Sequence, residues 1–167
     1  MSSRIVTLLR RAQSLLDSLG WAGPLLVRVS LASVFVVTGW GKLHDLAKVT
    51  GYFTELGIPF PGLNAVLVAT TELVGGSLVL VGLFTRLAAI PLALSMLVAI
   101  FTGKRADIDG IVSVFAFTEF TYLACFVWLA VAGAGAISLD RMLFGRRPAP
   151  LPRPLLRPEA PDSGEAT

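Results

Sequence analysis

The feature that most constrains this chain is one charged residue in the middle of a long apolar run. Residues 63–84, LNAVLVATTELVGGSLVLVGLF, contain Glu72 and no other charged side chain. A helix of about 20 residues crosses the roughly 30 Å hydrocarbon core of a bilayer, and a charge near its centre costs about 2.5–3.5 kcal/mol on insertion scales. Gly75, Gly76 and Ser77 leave room for a neighbouring helix. We therefore predict that this span packs against other spans and turns Glu72 inward.

Three further apolar segments are long enough to cross a bilayer. The composition agrees, because 54% of the residues are hydrophobic and 15% are charged, against roughly 25% charged in average domains. The four predicted spans cover residues 24–43, 63–84, 86–103 and 111–134. We predict an all-α fold with a membrane-embedded four-helix bundle in residues 21–145.

The segments outside the spans have patterns of their own. In residues 1–20 the apolar positions recur at steps of three and four, which predicts an amphipathic helix lying in the membrane surface. Packing of that helix on a partner's soluble domain is the alternative. Residues 44–62 are too polar to span and predict a short interfacial helix that ends before the turn at residues 57–62. The proline-rich residues 146–167 predict a disordered tail.

Intramembrane acids are functional candidates by default, and this sequence has two. Glu72 lies in the second span and Glu119 in the fourth, so both can reach one bundle interior. Lys42, His44 and Asp45, at the outer end of the first span, are the nearest partners for them. The alternative is that each glutamate hydrogen-bonds a neighbouring helix and fixes its packing; for Glu119 this structural role is the favoured one.

A bound quinone fits such a site, because its carbonyl oxygens take up protons on reduction and its body prefers an apolar setting. Further candidate ligand contacts are Arg28, Gly75 and Gly76. For Arg28, near the start of the first span, snorkelling to the headgroups is favoured over a buried ion pair. With one histidine and one cysteine, the chain offers no bis-histidine haem site, multi-histidine metal site or intrachain disulfide. We therefore predict no metal site and no intrinsic cofactor.

An ordered set of short motifs resembles the DoxX family of small bacterial membrane proteins. The motifs are Arg28, GWGK at 39–42, the Gly57-Ile58-Pro59 turn, Glu72 with Gly75-Gly76, GLFTR at 82–86, and GAGAISLD at 133–140. The similarity covers about residues 24–143. It implies a four-helix inner-membrane protein linked to redox metabolism, either as a subunit associated with thiosulfate or quinol oxidation or as a component of complexes that resist oxidative and thiol stress.

Two functions follow as hypotheses. The first is a quinone- or quinol-interacting subunit of an oxidoreductase complex, in which Glu72 takes or gives a proton, Glu119 assists, and Lys42 or His44 lies at the outer mouth. The second is a non-catalytic scaffold that recruits soluble redox or stress-response enzymes through the N-terminal helix and the tail. A small-solute or proton carrier is less favoured, because four short spans leave little room for an alternating-access path without oligomerisation. Expected partners are the lipid bilayer and proteins of a membrane redox complex, with a homo-oligomer left open; nothing points to nucleic acid.

With four spans, both chain ends lie on one side of the membrane. That side collects most of the arginines, whereas the other has only Lys42, Lys48, Lys104 and Arg105. The positive-inside rule then predicts that both termini are cytoplasmic. Reporter fusions test this orientation: a reporter at the C-terminus should be active only in its cytoplasmic form, and one inserted in the 104–110 loop only in its exported form. An exported C-terminus contradicts the prediction.

Overall fold

The computed structural model describes residues 13–145, and every regular element in that range is helical. The helices are α1 (Ala22–His44), α2 (Leu46–Glu55), α3 (Pro61–Val81), α4 (Thr85–Gly103), α5 (Ile111–Ala116), α6 (Thr118–Ala132) and α7 (Leu139–Phe144), with a 3₁₀ turn at Arg105–Asp107. The predicted all-α fold is confirmed. Residues 13–18 are also helical, but most of the predicted amphipathic helix and the whole predicted tail lie outside the described residues.

Three of the helices are long and apolar enough to cross a membrane. They are α1, α3 and α4, with 23, 21 and 19 residues, which correspond to lengths of about 34, 31 and 28 Å. Helix α6 is apolar but has only 15 residues. With α6 as the fourth member, the helices form the predicted four-helix arrangement. The short α2 occupies the polar segment between the first two spans, as its apolar stripe predicts.

The fourth predicted span is not one continuous helix. Phe117 is extended (φ −71°, ψ 137°) and separates α5 from α6. Glu119 lies in the first turn of α6, where the helix dipole favours a carboxylate. An acid at that place is a usual sign of a helix start, but the uninterrupted apolar run around it led to the prediction of a single span.

Small residues allow α1 and α3 to pack closely. A Cβ added to Gly39 of α1 would lie 2.4 Å from the backbone nitrogen of Leu73 and 3.0 Å from the carbonyl oxygen of Ala69. On the α3 side of this α1–α3 contact, which we call the seam, a Cβ on Gly76 would lie 3.1 Å from the backbone nitrogen of Val36. Backbones that approach this closely are typical of helix pairs in membranes, where van der Waals contact replaces the hydrophobic effect as the driving force.

The hydrophobic core occupies the half of the bundle near the chain termini. Its buried side chains come from α1, α3, α4 and α6 and include Leu31, Leu92 and Leu129. The ring of Phe35 contacts that of Phe126 edge-to-face, with centroids 4.8 Å apart. In the opposite half, α2 packs on α3 and the long helices enclose a cavity instead of a core.

Loops from distant parts of the chain lock the core end of the bundle. Asp140 accepts hydrogen bonds from the backbone amides of Phe84 (2.7 Å) and Thr85 (3.2 Å), so it caps the start of α4 from 55 residues away. Arg28 is 4% exposed and donates from Nη1 to the carbonyl oxygen of Ala134 at 2.5 Å. The expectation that Arg28 snorkels is therefore wrong, because the carbonyl of Ala134, two residues after α6, offers a partner inside the protein.

The close seam between α1 and α3 predicts a large difference between two neighbouring glycines. Gly39→Ala should lower the free energy of unfolding by about 2–3 kcal/mol, because its methyl group would overlap backbone that cannot move aside. Gly41→Ala should be neutral or slightly stabilising, because no atom lies within 4 Å of its added Cβ and alanine favours the helix. Denaturant unfolding in detergent micelles measures both, and equal effects of the two substitutions contradict this account of the seam.

Candidate functional site

The half of the bundle away from the chain termini contains a cavity of about 920 Å³. The end of α1, one face of α2, the first half of α3, the end of α4 and the start of α6 line it. Small-molecule pockets usually have volumes of roughly 300–1,000 Å³, so the cavity can hold a ring system together with part of a tail. Most of its wall surface is apolar, and charged and hydroxyl side chains lie at several places in it.

The best-defined polar group in the wall is an ion pair between α1 and α3. Lys42 Nζ lies 2.5 Å from Glu72 Oε1, and Thr38 Oγ1 donates to Glu72 Oε2 at 3.3 Å. Glu72 is 2% exposed, so the prediction that it turns inward is confirmed. Burying a carboxylate costs several kcal/mol unless a counter-charge and hydrogen bonds compensate it, and here both oxygens have a partner.

The local sequence of α1 explains why two of its side chains reach the same carboxylate. Thr38 and Lys42 are four residues apart and therefore lie on one face of the helix. Gly39 lies next to Thr38 and contacts the backbone of Leu73, the neighbour of Glu72. The absence of a side chain at position 39 thus brings the α1 face close enough for a direct ion pair.

Glu119 lies in the wall of the same cavity, on a different helix. It is half-buried, and its carboxylate has no hydrogen bond or ion pair within residues 13–145. The two helices that carry the glutamates, α3 and α6, pack mainly on other elements and not on each other. The structure therefore places the two predicted acids around one shared space, and only Glu72 has its charge compensated.

The other predicted site residues lie elsewhere. His44 is exposed, and its Nδ1 is 2.9 Å from the carbonyl oxygen of Trp40. Gly75 packs against the Leu92 side chain and Gly76 against Phe35, while Arg28 lies at the core end of the bundle. None of these four lines the cavity. Their proposed roles in ligand binding stay predictions that their positions do not support.

Sequence reasoning did not single out several polar residues of the cavity, among them Thr38 and Lys104. Thr38 could have been found from its spacing of four residues to Lys42. Lys104 follows the last residue of α4 and lines the cavity, but in the sequence it reads as part of a charged loop. In the structure its Nζ lies 5.8 Å from the centroid of the Phe117 ring, which precedes α6.

Comparison with known proteins identifies the family. The DoxX family model matches residues 23–105, which include both members of the Lys42–Glu72 ion pair. "Inner membrane protein YqjF" of Escherichia coli is 32% identical over 121 residues, which are 72% of this chain and 92% of that protein. The chain belongs to the DoxX family. This confirms the resemblance carried by the sequence motifs.

Two further DoxX relatives show a similar extent of likeness. "Putative oxidoreductase CatD" of Bacillus subtilis is 34% identical over 125 residues, or 73% of this chain and 87% of the relative. "Uncharacterized membrane protein Rv3486" of Mycobacterium tuberculosis is 33% identical over 146 residues, or 81% and 90%. No solved structure matches the chain. With its apolar helices, this DoxX chain is a multi-pass protein of the bacterial inner membrane, and its outward-facing apolar side chains contact lipid.

The buried ion pair predicts a non-additive effect on stability. Lys42→Met should lower the free energy of unfolding by about 2 kcal/mol, because it leaves Glu72 buried without its counter-charge. Lys42→Met combined with Glu72→Gln should be more stable than Lys42→Met alone, because the uncompensated charge is gone. Unfolding titrations in micelles measure the cycle, with Arg105→Met, an exposed substitution outside the cavity, as the control. Additive effects of the two substitutions contradict a direct pair.

Proposed function

We propose that this DoxX protein binds a quinone or quinol in the cavity and serves as a membrane subunit of an oxidoreductase system. The observation that carries the proposal is the Lys42–Glu72 ion pair, which lies in the wall of an apolar cavity near the middle of a spanning helix. The printed name of one relative, "Putative oxidoreductase CatD", supports a redox role.

The ion pair suits both redox forms of such a ligand. The Lys42 ammonium group is a donor for a quinone carbonyl, and the Glu72 carboxylate is an acceptor for a quinol hydroxyl. When a quinol is oxidised it releases two electrons and two protons. In this proposal Glu72 accepts one proton, the second proton passes to water at the exposed side of the cavity, and the two electrons pass to a redox-active partner protein. Reduction of a quinone runs the same transfers in reverse.

The apolar walls suit the body of the ligand. Leu94 and Val98 of α4 line the cavity and are 55% and 54% exposed on the surface that faces lipid. A lipid-soluble tail can therefore lie along α4 while the ring reaches the ion pair. Because the cavity is at the end of the bundle opposite the chain termini, cytoplasmic termini place it in the outer half of the membrane.

The scaffold hypothesis stays a prediction. It depends on residues 1–19 and 146–167, nearly all of which lie outside the described residues. Deletion of both segments distinguishes the two functions, because the cavity and its ion pair lie entirely within the bundle. If the deleted protein still binds quinone but no longer associates with its partners, the two segments recruit the partners and the cavity binds the ligand.

The proposal predicts that bound quinone depends on Glu72. The protein purified in lipid nanodiscs should retain quinone that is detectable by solvent extraction and chromatography, and it should bind added decylubiquinone. Glu72→Gln should weaken that binding at least tenfold, about 1.4 kcal/mol, because a neutral amide no longer pairs with Lys42. Glu55→Gln, an exposed substitution on α2 outside the cavity, is the matched control. Wild-type protein that binds no quinone, or a Glu72→Gln variant that binds it normally, overturns the proposal.

A further inference from the structure

We infer that Lys104 and Glu119 form a second ligand-binding pole in the cavity, which holds the ring oxygen opposite the one held by Lys42 and Glu72. The inference rests on the proposed quinone function and deepens it, because it names the ligand as a para-quinone or para-quinol with an oxygen at each end of the ring. Lys104 is thereby assigned to the site together with Glu119.

Lys104 and Glu119 reach the cavity from consecutive parts of the fold. Lys104 directly follows α4, and Glu119 lies in the first turn of α6. Both line the cavity, as do Thr102 and Thr118 beside them. The break at Phe117 makes this possible, because a new helix begins at Thr118 and places Glu119 in its first turn, in the wall of the cavity.

Lys104 is only loosely held by its present neighbours. Its Nζ lies 4.0 Å from Asp107 Oδ2, and the two side chains are 38% and 63% exposed, so solvent screens this pair and it contributes little. The same Nζ lies 5.8 Å from the centroid of the Phe117 ring, near the outer limit of a cation–π contact. The ammonium group is therefore free to donate to a ligand, and its contact with Phe117 keeps it close to the start of α6.

The Glu119 carboxylate can accept a hydrogen bond, and no donor within residues 13–145 supplies one. Glu72 has both carboxylate oxygens bound, whereas Glu119 has neither bound within residues 13–145, although both face the cavity. Its oxygens remain accessible, because neither is among the buried unpartnered side-chain atoms of residues 13–145. A ligand hydroxyl can therefore donate a hydrogen bond to Glu119.

The surface between the two poles fits an aromatic ring. Phe35 of α1 and Tyr122 of α6 both line the cavity, and their rings contact each other with centroids 5.4 Å apart. Phe35 is on the helix that carries Lys42, and Tyr122 is on the helix that carries Glu119. Phe35 is buried, so in this proposal a flat ligand ring packs on Tyr122 and presents its opposite edges to the two poles. The oxygens of a para-quinone are on those opposite edges.

Two probes that differ by one hydroxyl group test the second pole. The probes are 2-decyl-1,4-hydroquinone and 2-decylphenol, both measured under argon with the full-length protein in nanodiscs. Wild-type protein should bind the hydroquinone at least tenfold more tightly than the phenol. Glu119→Gln and Lys104→Met should each reduce that ratio to about one while leaving phenol binding unchanged. Comparing ratios between variants cancels the difference in lipid partitioning of the probes.

The controls are Glu55→Gln and Arg105→Met, two exposed residues outside the cavity, which should keep the wild-type ratio. Size-exclusion profiles establish which variants fold, and either Glu119→Gln or Lys104→Met alone decides the outcome. An unchanged ratio, or an equal loss of both probes, overturns the second pole while Glu72-dependent binding keeps the proposed function intact. If neither probe shows Glu72-dependent binding, the proposed function fails and the second pole fails with it.

Discussion

A buried carboxylate in a membrane-spanning helix requires compensation, and in this protein the Lys42–Glu72 ion pair provides it. Hydrocarbon cannot solvate Glu72, so its charge needs a counter-charge and hydrogen bonds from a neighbouring helix. Lys42 and Thr38 supply these from one face of α1. The requirement fixes which helix lies beside α3, which face it presents, and how close the two backbones come.

The bundle has two halves along its length, and they differ in how tightly the helices pack. At the core end, aromatic and aliphatic side chains pack tightly, while Asp140 and Arg28 bind backbone groups of distant loops. That end holds the four helices together. The other end can therefore remain open as a cavity. Close packing at one end and a mainly apolar cavity at the other separate stability from ligand binding within one small bundle.

The short motifs shared with the DoxX family fall on these two halves. GLFTR at 82–86 and GAGAISLD at 133–140 lie at the core end of the bundle. Gly82 there has a φ of 73°, and a Cβ added to it would lie 2.8 Å from Arg28 Nη1. GWGK at 39–42 contributes Gly39 to the seam and Lys42 to the ion pair. The family motifs therefore contain residues with two different physical roles, close packing of the bundle and lining of the cavity. Arg28 belongs to the core end and not to the cavity.

The sequence by itself determined the helical class, three of the four spans to within about three residues, the short helix between the first two spans and the inward position of Glu72. These depend on the length and polarity of each segment taken alone, because a bilayer acts on every segment in the same way. Only the tertiary structure decided that Lys42 pairs with Glu72, that Arg28 binds the loop after α6, and that the fourth span breaks at Phe117. Those features depend on which helix faces touch, and that choice is made by close packing between segments far apart in the chain.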